Sequence, residues 1–122
     1  MVVTNDGLKN MRKWLASSGG NPPSTIVLGT VGTVASETDS ALYSAVSSTD
    51  KAFATTPVET DFTVQYEHTL SSVEGNGFSF KEFALKESVA DSITTRNTFT
   101  TLNKTNAFEV QTLLTIKLLN EE

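Results

Sequence analysis

Apolar and polar residues alternate most regularly in the second half of the chain. Phe62, Val64, Tyr66, His68 and Leu70 share one phase, and Thr63, Gln65, Glu67 and Thr69 the other. A period of two over nine residues predicts a half-buried strand. Val73 to Gly77 then reads as a turn, its Asn76-Gly77 pair suited to positive φ. Phe78 and Phe80 resume the alternation, but Phe83 and Leu85 continue it in the opposite phase. That change of phase predicts a bulge near Lys81 and Glu82, because one inserted residue turns every later side chain to the other face. Residues 93 to 102 form a Thr-rich strand, and Phe108, Val110, Thr112, Leu114, Ile116 and Leu118 mark a long final one. Glu109, Gln111, Thr115 and Lys117 face the other way there, with Leu113 and Leu119 interrupting the polar side.

The first half follows a different period. Leu8, Met11, Trp14 and Leu15 recur at helical spacing, so residues 4 to 17 are expected to be an amphipathic helix capped by Thr4 or Asn5. Gly19 and Gly20 supply a left-handed stop, and Pro22-Pro23 forbids continuation. Residues 26 to 28 are a short buried strand, and Gly29 to Val34 a flexible or bulged stretch. Ser36 to Asp39 offers caps for a second, two-turn helix carrying Ala41, Leu42, Ala45 and Val46. Residues 47 to 60 read as extended loop anchored by Phe53. Short strands joined by turns, with few helices, predict a mainly β antiparallel sandwich with a short N-terminal helix and one additional short helix. At 122 residues, a single domain spanning 1-122 is expected, with residues 1-20 a helical element able to act as a docking arm.

Composition reinforces the β reading, since Thr is abundant and its branched Cβ suits pleated surfaces. A net charge of −5, with the nine basic residues scattered, argues against nucleic acid and anionic lipid as partners. The absence of cysteine excludes disulfides, thiolate metal sites and thiol catalysis. No apolar run has the length of a membrane span, and the first residues lack the pattern of a signal peptide, so synthesis and folding in a cytoplasm are expected. The Asn103-Lys104-Thr105 sequon is then a chance match.

Candidate chemistry is sparse. His68, the lone histidine, has no carboxylate partners at matching positions, so no metal site is expected and a structural or interface role is favoured. The stretch from Gly29 to Ala35 lacks the Gly-Lys-Ser/Thr ending of a phosphate loop and reads as a bend. Glu37 with Asp39, and Glu82 with Glu87, could be arranged as carboxylate pairs for glycoside hydrolysis, but solvated surface acids explain them equally well, and no serine sits in a nucleophile elbow. The expectation is therefore a non-enzyme with no catalytic, cofactor-binding or metal residues. Trp14, Phe53 and His68 are its candidate interface residues. Trp14 on a terminal helix fills the core or docks into a partner.

The order of features resembles a family of small virion structural proteins of tailed phages or tailed archaeal viruses, of the tail-fibre or baseplate kind. The likeness rests on the N-terminal helix, Ile26-Val27-Leu28-Gly29-Thr30, the Thr38 to Leu42 segment and Glu74 to Gly77. It continues through Phe78 to Leu85, Arg96 near Thr98-Phe99, Lys104-Thr105 and the final strand. The chain departs from that pattern at Phe83-Ala84, where the family has a small Ala-Gly pair. The resemblance implies a virion location and assembly with other virion proteins at the tail, baseplate or fibre-attachment region. It also implies a homo-oligomer, a trimer by analogy with virus fibres. Alternatives are a capsid decoration or head-fibre protein bracing the shell, and a receptor- or carbohydrate-binding module.

Overall fold

A computed structural model of the chain describes residues 1–87 and 92–118. The fold is mainly β, two antiparallel sheets facing one another with one α-helix. Its elements are β1 (Val2–Val3), α1 (Asn5–Leu15), β2 (Thr25–Gly29), β3 (Lys51–Ala52), β4 (Val58–Thr60), β5 (Thr63–Leu70), β6 (Ser79–Lys86), β7 (Ile93–Asn103) and β8 (Val110–Lys117). One sheet has the order β1-β7-β6-β2-β3, the other β4-β5-β8. The turn after β5 thus links strands of different sheets, with positive φ at Gly75 and Gly77.

The alternation of the sequence becomes the core. Ile26, Leu28, Tyr66, Leu70, Phe80, Leu85, Leu114 and Ile116 are buried in one cluster between the sheets, with Val64, Phe83, Phe99 and Val110 packed against it. The change of phase in β6 is a bulge. Phe80 pairs with Leu102 but Glu82 pairs with Thr98, so the register slips across Lys81. Phe80 and Leu85 therefore both reach the core, although their positions have opposite parity.

Helix α1 begins where the caps predict. Thr4 Oγ1 accepts from the Gly7 amide at 3.0 Å and donates to the Ile93 carbonyl at 2.5 Å, so one hydroxyl caps the helix and fastens it to β7. Gly7 lies so close to that strand that a Cβ would stand 2.6 Å from the Thr94 carbonyl oxygen. The helix ends on Ser17, not on a glycine. Ser17 takes φ 53, and the Ser17 and Ser18 amides donate to the Trp14 and Lys13 carbonyls, closing a Schellman motif. Leu8 and Leu15, expected on the buried stripe, are exposed because the helix rests on its Gly7 side.

The second helix, expected over residues 41 to 46, does not form. The Thr30 amide donates to the Ser44 carbonyl and the Val46 amide to that of Leu28, which extends the edge of β2. A single 3-10 turn, Ser47–Thr49, follows instead. Leu42 still points inward, joining Val27, Ala84 and Ile93 in a small second core on the outer face of the larger sheet.

Candidate functional site

Two regions stand out: a buried ionic cluster on the outer face of the larger sheet, and an open flank along β8. The cluster joins residues far apart in sequence. Gly29 lies opposite Glu82, and Glu82 opposite Thr98, in neighbouring strands, while Val27, Ala84 and Arg96 form the adjacent row. Glu82 and Arg96 are diagonal neighbours on one face, a separation that long side chains span. Gly29 and Ala84 leave the room they need. A Cβ at position 29 would collide with Glu82 Oε2 and lie 2.7 Å from the Ser44 carbonyl oxygen.

Arg96 is wholly buried, as is Glu82, and Asp39 is 8% exposed. The guanidinium donates four hydrogen bonds and makes one further ion-pair contact. Nε donates to Glu82 Oε1 at 3.1 Å, Nη2 lies 3.0 Å from the same oxygen as an ion pair, and Nη1 donates to Asp39 Oδ2 at 3.3 Å. Nη1 also donates to the Thr33 carbonyl at 2.7 Å, and Nη2 to the Val31 carbonyl at 3.3 Å. The second carboxylate is offset by loop amides. Val31 and Ser44 donate to Glu82 Oε2, Tyr43 to Glu82 Oε1, and Ser36 to Asp39. The Tyr43 hydroxyl donates to Asp39 Oδ1 at 3.1 Å, and its ring covers the guanidinium, 4.6 Å from centroid to Cζ. That bond to Asp39 raises the Tyr43 pKa above its usual 10.0.

The physical consequence is a latch. Backbone groups drawn to Glu82 and Arg96 hold residues 30 to 45 against the sheet and prevent the helix expected there, since the Tyr43 and Ser44 amides have carboxylate acceptors. The Gly29 stretch does cradle an anion, but the anion is the chain's own Glu82. Glu82 and Asp39, expected as solvated acids, are enclosed because Arg96 compensates them. One signal for this lay in the sequence: Arg96 is the only charged residue of the eleven in β7.

The three candidate interface residues are dispersed. His68 lies on the core side of β5, fully enclosed by its own chain, so it cannot meet a partner. Its Nε2 pairs with the Thr49 carbonyl at 2.7 Å, while Nδ1 has no hydrogen-bond partner. Burial pushes the imidazole pKa below 6.5, and the Thr49 contact only partly opposes that. Phe53 packs on the core, its ring 5.0 Å from that of Tyr66, and so anchors its loop as expected. Trp14 is half-buried beside an apolar groove of about 410 Å³, lined also by Met11, Pro23, Tyr66, Ile116 and Leu118.

The flank is formed by β8, the last strand of its sheet. It pairs with β5 along its whole length, and among the described residues no strand covers its other edge. Strand β1 shields β7 only at Thr95 and Arg96. Leu113 is 51% exposed on the outer face of β8, with Phe108 and Leu118 exposed at its two ends. Among the described residues, no group of three or more His, Cys, Asp or Glu side chains is placed to hold a metal ion. Comparison with protein-family models, curated proteins and solved structures finds no match to this chain.

Proposed function

We propose that the chain is a structural subunit of a tailed-virus particle, assembling at the tail, baseplate or fibre-attachment region through contacts with other virion proteins and with itself. The observation that carries an assembly role is the open flank: a full-length strand edge bordered by exposed Leu113, Phe108 and Leu118. Unpaired edges of this kind template pairing with another chain, and proteins that do not use them usually cover or charge them. The clustered charges, by contrast, are turned inward, where Arg96, Glu82 and Asp39 satisfy one another and the loop. The virus itself comes from the resemblance in the order of motifs.

Quantitative mass spectrometry of purified particles tests the proposal. The expected result is the chain at a fixed copy number, on the order of a few dozen or fewer for a tail position. A copy number on the order of hundreds would move it to shell decoration. Absence from particles made by cells that express it would overturn the virion reading.

A further inference from the structure

We infer that β8 pairs with β8 of a second copy, antiparallel and across a two-fold axis through Leu113, joining two three-stranded sheets into one of six strands. This goes beyond the virion reading and does not depend on it. A two-fold axis perpendicular to a sheet keeps each face on its own side, so a residue meets one of the same parity. With the axis at Leu113, the outward residues pair as Leu113 with itself, Gln111 with Thr115, and Glu109 with Lys117. On the inner face Val110 meets Ile116 and Phe108 meets Leu118, which continues the core across the junction. Thr112 meets Leu114.

The charges select this register. Glu109 and Lys117 are both exposed, and among the described residues neither has an ion-pair partner. Moving the axis to Thr112 sets Lys117 opposite Ala107, and moving it to Leu114 sets Lys117 opposite Gln111. Only the axis at Leu113 places both opposite charges together, twice per dimer, while also burying the exposed Leu113 against its own copy. Opposite charges and matched apolar side chains directly across strands are the pairs that stabilise a sheet. Among the described residues the edge is free to accept them, because the backbone partners of β8 lie on β5 and at Phe62.

Sedimentation equilibrium of the purified full chain gives the test. A monomer–dimer equilibrium is expected, with a Kd of about micromolar order for a contact this small. Leu113→Lys should give a monomer with an unchanged melting temperature. Glu109→Lys alone and Lys117→Glu alone should each weaken self-association about tenfold or more, through two repulsive pairs per dimer. Mixing those two variants should restore dimers, because each then meets its opposite at both positions. A chain that stays monomeric at all concentrations, a trimer such as the virus-fibre analogy implies, or a mixture that fails to associate would each overturn the pairing. None of these outcomes bears on whether the chain is found in particles, so the two proposals fail separately.

Discussion

The outer face of the larger sheet and the smaller sheet handle polar groups in opposite ways. On the first, Arg96, Glu82 and Asp39 are enclosed and joined by the guanidinium's hydrogen bonds, and the loop over them is held by the same atoms. On the second, the inner face is largely apolar, its His68 is left with one unpartnered nitrogen, and among the described residues no strand neighbours the outer edge of β8. Satisfied charge therefore does architectural work in one place, while an incomplete strand pairing leaves the other open to a partner. Buried ion pairs are often replaceable by apolar residues. This one is not, because removing it would orphan the amides of Val31, Tyr43 and Ser44 as well.

The most damaging change should be Arg96→Ala. It strands two buried carboxylates and should cost about 3–5 kcal/mol in chemical denaturation. A loss under about 1 kcal/mol would mean that the latch is not what holds the loop. Next comes Gly29→Ala, whose added methyl displaces the Glu82 carboxylate or the Ser44 carbonyl. A loss of about 1–3 kcal/mol is expected, with amide hydrogen exchange rising at Val31, Tyr43 and Ser44.

The half-satisfied histidine predicts a pH dependence with a definite sign. The folded His68 resists protonation, whereas the unfolded chain takes up a proton near pH 6.5. Stability attributable to His68 is therefore complete above that pH and declines as pH falls below it, by at most about 1.4 kcal/mol per pH unit. His68→Leu should flatten that part of the stability curve; an unchanged slope would show that another group causes it.

Smaller still is the contribution of Glu74 in the turn after β5. Lys51, with help from the Ser71 amide, lowers its carboxyl pKa from 4.5 to about 2. Its stabilisation is present above pH 4.5 and lost as pH falls through about 2. Because the pair is about one-third exposed, Glu74→Gln at neutral pH should cost only about 0.5 kcal/mol in a thermal melt. Leu113→Lys on the open flank should leave the stability of the monomer within about 0.5 kcal/mol, the sharpest contrast with Arg96→Ala. A large loss there would mean that β8 is not stable as an edge by itself.

Much of this architecture was legible from local pattern. The phase change between Phe80 and Phe83 located the bulge at Lys81, and Thr4 with the apolar spacing after it located the start of α1. The alternation from Val64 to Leu70 and from Val110 to Ile116 named most of the residues that meet in the core. The misreadings share a cause. Ala41 to Val46 has helical spacing, but carboxylate and β2 contacts from elsewhere in the chain claim its amides. Leu8 and Leu15 have helical spacing too, but the helix docks through Gly7. His68 read as a candidate interface residue because a strand period tells which face a side chain takes, not what covers that face.

What the sequence by itself determined is thus the periodicity of each segment, its caps and turns, and the mainly β class, all consequences of interactions within a few residues. Only the tertiary structure decided that β5 pairs with β8 rather than with the neighbouring β6. It also decided that Asp39, Glu82 and Arg96 converge, and that β8 is left at an edge. Those outcomes depend on which distant segments share a sheet, and strand pairing draws on backbone groups that every residue carries alike.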